Sequence, residues 1–157
     1  MRKTRHGVLT VVTLAALIGP ASAQQPTAPP AATAQSDSAQ SAAPAGAYSY
    51  FVNLKNGDTV TSPFKVVFGL SPNMGVAPSG VEKPNVGHHH LLVDTDMVPP
   101  DQPIPSDYNH IHLGNGQTET VLTLPPGTHT LQLLLGDHQH IPHQPPVMSK
   151  KITIYVR

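Results

Sequence analysis

The chain contains no cysteine. That excludes disulfides, and it excludes thiolate metal sites such as zinc ribbons and blue-copper centres. A transition metal bound here would have to use imidazole, carboxylate or thioether. Charged residues make up only 11% of the 157, and nothing in their placement suggests a phosphate-binding surface, so nucleic acid is not an expected partner. Beyond residue 48 no segment sustains an apolar period of 3.6, which argues against helices. No serine lies in a nucleophile elbow, and Gly114-Asn115-Gly116 leads into a strand and not into a phosphate-binding helix. Asp94, Glu119 and Asp137 form no recognisable acid–base pair. The apolar run at residues 8–18 falls well short of the ~20 residues that span a bilayer.

That short run has another meaning. Arg2, Lys3 and Arg5 precede it, and Ala21-Ser22-Ala23 follows it. A basic head, an apolar middle and an Ala-x-Ala ending predict a secretory signal peptide over residues 1–23, hence a periplasmic or secreted protein with no membrane span after cleavage. Cleavage would leave six basic residues against nine acidic, a formal charge of −3 with histidine neutral. Residues 24–47 are almost entirely Ala, Pro, Gln, Ser and Thr. Such a composition buries too little apolar area to offset the entropy of ordering, so a flexible, disordered linker is expected there. A single domain should then occupy residues 48–157.

Within that domain, short β-prone runs are separated by Pro and Gly clusters. The pattern predicts an all-β fold, an immunoglobulin-like β-sandwich of about seven strands. The strands are expected at Tyr48–Leu54, Phe64–Leu70, the histidine run ending near Asp94, Asn109–Leu113, Glu119–Leu124, His129–Gly136 and Ile152–Val156. Ser71 to Gly87 reads as a long loop punctuated by Pro72, Pro78 and Pro84. The Cys…Trp…Cys signature of true immunoglobulin domains is missing, so the prediction concerns architecture alone.

Histidine is what the chain has in abundance, with ten residues. In Gly87-His88-His89-His90-Leu91-Leu92-Val93, strand alternation sends His89, Leu91 and Val93 to one face and His88, His90 and Leu92 to the other. His89 is therefore expected to be a hydrogen-bonded core residue. His88 and His90, about 7 Å apart by strand rise, could reach one ion. In an immunoglobulin-like arrangement His112, at the end of the fourth strand, lies at the same end of the sandwich. So do His138, His140 and His143, in the loop after the sixth strand. These six are the candidate metal ligands, with copper or zinc the expected ion. Asp137 is a candidate acceptor for orienting an imidazole, and Met74 and Met148 could add a thioether or simply cover the loops. The same topology places His129, Asp94 and Asp96 at the far end.

Three motifs resemble the bacterial domain-of-unknown-function family 4399. They are Gly-His-His-His-Leu-Leu-Val-Asp from Gly87, His-Leu-Gly-Asn-Gly-Gln-Thr-Glu from His112, and Gly-Thr-His-Thr-Leu-Gln-Leu-Leu-Leu-Gly-Asp from Gly127 with its later His-Ile-Pro-His and Pro-Pro-Val-Met-Ser. The resemblance implies an exported protein and a motif that includes His88 to His90, His129, His140 and His143 here. It implies no activity. Three functions follow from the residues: a metal-binding module, a non-catalytic structural or interaction domain whose histidines form a hydrogen-bond network, and a metal-dependent redox or hydrolytic enzyme. The last rests on fold analogy alone, and the residues lean away from an enzyme.

Overall fold

The computed structural model describes residues 40–157. The signal peptide expected over residues 1–23, and the linker up to residue 39, lie outside the described residues. Among the described residues nine strands form: β1 (Ser49–Phe51), β2 (Thr59–Val60), β3 (Phe64–Leu70), β4 (Gly75–Val76), β5 (Val86–Val93), β6 (His110–His112), β7 (Glu119–Leu122), β8 (Gly127–Gly136) and β9 (Ile152–Val156). The described residues are all-β, and no helix among them is long and apolar enough to cross a membrane.

The strands make two sheets. One runs β1-β3-β7; the other runs β2-β9-β8-β5-β4, with β6 also paired to β5. Seven of the nine strands match the expected ones, with β1, β6 and β7 shorter than the sequence suggested and β8 begun two residues earlier. The two additions, β2 and β4, are two-residue strands that pair in parallel with β9 and β5. Neither is long enough to show an alternating pattern, and β4 lies inside the expected loop at 71–87.

The main core lies between the sheets. Phe64, Val66 and Phe68 of β3 and Leu122 of β7 meet Leu91 and Val93 of β5, Leu131 and Leu133 of β8, and Ile152, Ile154 and Val156 of β9. These are the alternate positions that period-two patterning selects. Burying each such side chain is worth about 1.5–3 kcal/mol.

The opposite face of β5 and β8 is not left to solvent. Leu92 and Leu134 are buried there with Ile104, and Met97, Val98 and Met148 pack against them. The proline-rich segment at 94–109 and the segment at 137–148 thus cover the second face. Consequently β5 is buried on both sides, and its run of His and aliphatic residues contains no solvent-facing position from Gly87 to Val93. This is the environment of a central strand buried on both faces.

His89 enters the main core as its parity requires, fully buried with its ring centre 5.3 Å from that of Phe68. The expected hydrogen bonds are absent: neither ring nitrogen has a partner. Burial pushes its pKa down to about 4, so the ring is neutral at pH 7. An unsatisfied buried polar group costs about 1–3 kcal/mol. His89→Leu, similar in volume, should therefore raise thermal stability by an amount of that order, read as an increase in Tm.

Candidate metal centre

The register of β5 assembles the centre. His90 lies directly opposite His112 of β6, and on its other side His88 lies opposite Gly136 of β8. Directly opposed residues in an antiparallel pair share a face, so His88, His90 and His112 all project away from the main core. The chain leaves β8 at Gly136 and turns at once. The His140 amide donates to the Asp137 carbonyl at 3.0 Å, and the Ile104 amide donates to the His140 carbonyl at 2.8 Å. These two bonds hold His140 at φ 69°. This left-handed conformation is uncommon outside glycine and worth about 1–3 kcal/mol of strain at most sites where it persists.

Four imidazoles pack together as a result. The ring centres of His88 lie 4.8 Å from His90, 5.0 Å from His112 and 4.9 Å from His140. Those of His90 lie 5.0 Å from His112 and 6.0 Å from His140, and His112 lies 4.8 Å from His140. One ring nitrogen from each of His88, His90 and His112 falls within 4.8 Å of the others. His88 and His90 are completely buried, while His112 and His140 are half-buried and form the outer side of the group.

Two glycines make the space. A β-carbon at Gly136 would stand 2.8 Å from Cε1 of His90 and 3.3 Å from Ile104. A β-carbon at Gly114 would collide with the His112 ring. In the sequence both read only as strand ends or turns; the signal that would have found them is a glycine placed opposite, or two residues after, a histidine of the cluster.

The polar atoms of the cluster are orphaned. Both ring nitrogens of His88, both of His90, and Nε2 of His112 are buried without a hydrogen-bond partner. Burial, reinforced by the neighbouring imidazoles His140 and His112, lowers the His88 pKa to about 4. Burial and the proximity of His88, His112 and His140 lower that of His90 to about 2. His112 is lowered by the same two causes, burial first and then His140. These three rings are therefore neutral at pH 7, and each carries a free lone pair.

The other candidates lie elsewhere. His143 is buried with Nε2 3.1 Å from the Val86 carbonyl and Nδ1 3.4 Å from the Leu135 carbonyl. Its bonds hold backbone, and its ring is outside the packed group. The His138 carbonyl accepts from the Gly80 amide, and its ring is likewise outside the group of four. Met74 packs with Leu135 and Val147, and Met148 against Leu92, Ile104 and Leu134, so both thioethers serve as apolar cover. Asp137 does not touch an imidazole. Its carboxylate accepts from Ser41 Oγ at 2.9 Å, the Gln139 amide at 2.9 Å, the Ile141 amide at 3.0 Å and the Ser41 amide at 3.4 Å. Burial alone would raise its pKa, yet these donors hold it below the usual carboxylate range. Its negative charge favours positive charge at His88.

At the far end of β5, as the topology argument expected, His129 is excluded. Its Nδ1 lies 2.6 Å from Asp94 Oδ2 and its Nε2 3.0 Å from the Pro125 carbonyl. Asp96 pairs with Lys151. Both partners of the His129 ring only accept hydrogen bonds when Asp94 is ionised, so the ring satisfies them best with both nitrogens protonated. Burial opposes that charge, but the bonds to Asp94 and Pro125 prevail and raise its pKa.

No curated protein and no solved structure matches the chain. The family model described as Domain of unknown function (DUF4399) matches residues 66–157, which take in β5, β6, β8 and all four clustered histidines, and the chain therefore belongs to that family.

Proposed function

We propose that this domain is an exported metal-binding module that holds one copper or zinc ion through the histidine cluster on β5, β6 and the turn after β8. The observation that carries this reading is the set of orphaned nitrogens on His88, His90 and His112. Each unsatisfied buried polar atom costs about 1–3 kcal/mol, so assembling several in one place is expensive unless something binds them. Neutral imidazole is a good ligand for both ions, and a nearby buried carboxylate, Asp137, supplies a field that favours a cation. Export is supported by the basic, apolar and Ala-x-Ala order of residues 1–23. An immunoglobulin-like sandwich is supported by the way β1, β3 and β7 face β6, β5, β8 and β9 across one core.

The hydrogen-bond network reading is weaker, because His129 and His143 bond apart from the cluster and the rings of His88 and His90 at its centre bond to nothing. The enzymatic reading lacks a second reactive group, since the nearest buried carboxylate is already engaged by its donors. Equilibrium dialysis against micromolar free zinc or copper, followed by elemental analysis, tests the proposal. One equivalent should be retained by the domain and none by the His88→Ala/His90→Ala double variant. Equal retention by both proteins, or none by either, would overturn it.

A further inference from the structure

The same cluster carries a more specific conclusion, which rests on the metal-binding reading. Four imidazoles around one ion leave a signature in the distances between ring centres. With metal–nitrogen bonds of ~2.0–2.1 Å and ring centres ~1.1 Å beyond, a tetrahedral ion sets all pairs ~5 Å apart. A square-planar ion, the preference of copper(II), sets four pairs at ~4.5 Å and both diagonals at ~6.4 Å. Here five of the six pairs lie between 4.8 and 5.0 Å, and a single pair, His90–His140, lies at 6.0 Å. The complementary diagonal, His88–His112, is 5.0 Å. The rings therefore occupy the corners of a tetrahedron opened along one edge.

The ring nitrogens themselves stand wider apart than bound ligands would. Those of His88, His90 and His112 reach 4.8 Å from one another, against ~3.4 Å for neighbouring ligands on a tetrahedral zinc ion. Rotation about the last side-chain torsion of histidine, which has broad wells, can aim the nitrogens inward while the ring centres move little. Only His140 belongs to a turn instead of a strand, and its backbone is held by two hydrogen bonds and a left-handed φ. Those constraints place the centre of its half-buried ring 4.9, 6.0 and 4.8 Å from those of His88, His90 and His112, which the sheet fixes, although its nitrogens are not among those within 4.8 Å of one another.

We infer that the centre is a closed, four-coordinate site for a tetrahedral ion of the zinc(II) class, with His140 as the fourth ligand that leaves no position for an exogenous molecule. Closed tetrahedral sites of this kind hold metal, whereas catalytic zinc sites keep a position for water or substrate. The site thus stores, carries or stabilises; it does not turn over a substrate at the ion.

Cobalt(II) substituted into the full chain reads this directly. The expected result is the intense visible absorption of four-coordinate cobalt, unchanged by added azide or imidazole. His140→Gly, which suits the positive φ, should still bind cobalt, and its spectrum should shift on addition of free imidazole toward that of the wild type. A weak six-coordinate spectrum, a wild-type spectrum that responds to azide, or a His140→Gly protein indistinguishable from wild type would each overturn the closed site. Retention of no cobalt or zinc at all would instead overturn the metal-binding reading on which it stands.

Discussion

In excess chelator, acidification from pH 7 to about 4.5 is expected to unfold the domain cooperatively. An unfolded histidine titrates near 6.5, whereas the folded-state values of His88 and His89 lie at about 4 and that of His90 at about 2. A depressed pKa means that below pH 6.5 the unfolded chain takes up protons that the folded chain refuses. Stability is fully present above 6.5 and is lost as pH falls toward the folded values. Each group costs about 1.4 kcal/mol per pH unit, so three together remove about 8 kcal/mol by pH 4.5, comparable to the whole stability of an ordinary domain. Circular dichroism against pH measures it, and a midpoint below pH 4 would contradict it. His129 acts in the opposite direction. Its raised pKa contributes stability that is complete below 6.5 and is lost as pH rises through the folded value. His129→Gln should flatten the alkaline limb and leave the acid limb alone.

The second large effect is a crossing of stabilities at His90. In the metal-free protein His90→Leu removes two orphaned nitrogens and places an aliphatic chain beside Ile104, on the face that Leu92 and Leu134 share. Its apo form should gain about 2 kcal/mol over wild-type apo protein. With zinc at a thousand times the wild-type dissociation constant the wild type should gain about 4 kcal/mol, a rise of roughly 10 °C or more in Tm, and the variant, with one ligand fewer, should gain far less. The melting order should therefore be wild-type apo, variant, wild-type holo. A hydrogen-bond network would give the reverse apo order, with the variant below the wild type. Calorimetry with and without chelator separates the two.

Period-two patterning is enough to divide the histidine run. His89, Leu91 and Val93 go to the main core and His88, His90 and Leu92 to the other face, because β-strand parity leaves no choice once Leu91 and Val93 are committed. The meeting of His112 and His140 with them is legible only through an assumed order of strands. Two things leave no trace in the pattern. The first is the cover over the second face: Ile104, Met97 and Val98 come from a proline-broken segment with no period to read, so the burial of the face that carries His88, His90 and Leu92 has no signal in the sequence. The second is the room for the rings. Gly114 and Gly136 matter for what they omit, and an omission becomes visible only when register places it beside an imidazole. His138 and His143 look equivalent to His140 in sequence, and only the turn geometry at Asp137–His140 separates them.

One consequence of the fold concerns its N-terminal side. Gln40 bonds to the carbonyls of Pro100 and Pro142, Ser41 to Asp137, and Ala42 and Ala43 bridge to Gln144. The end of the segment expected as a linker over 24–47 is thus laced across the loop that carries His140. Tension applied along the chain from that side would load these few bonds in shear before it reached any long strand pair. The fourth imidazole would be the first to move.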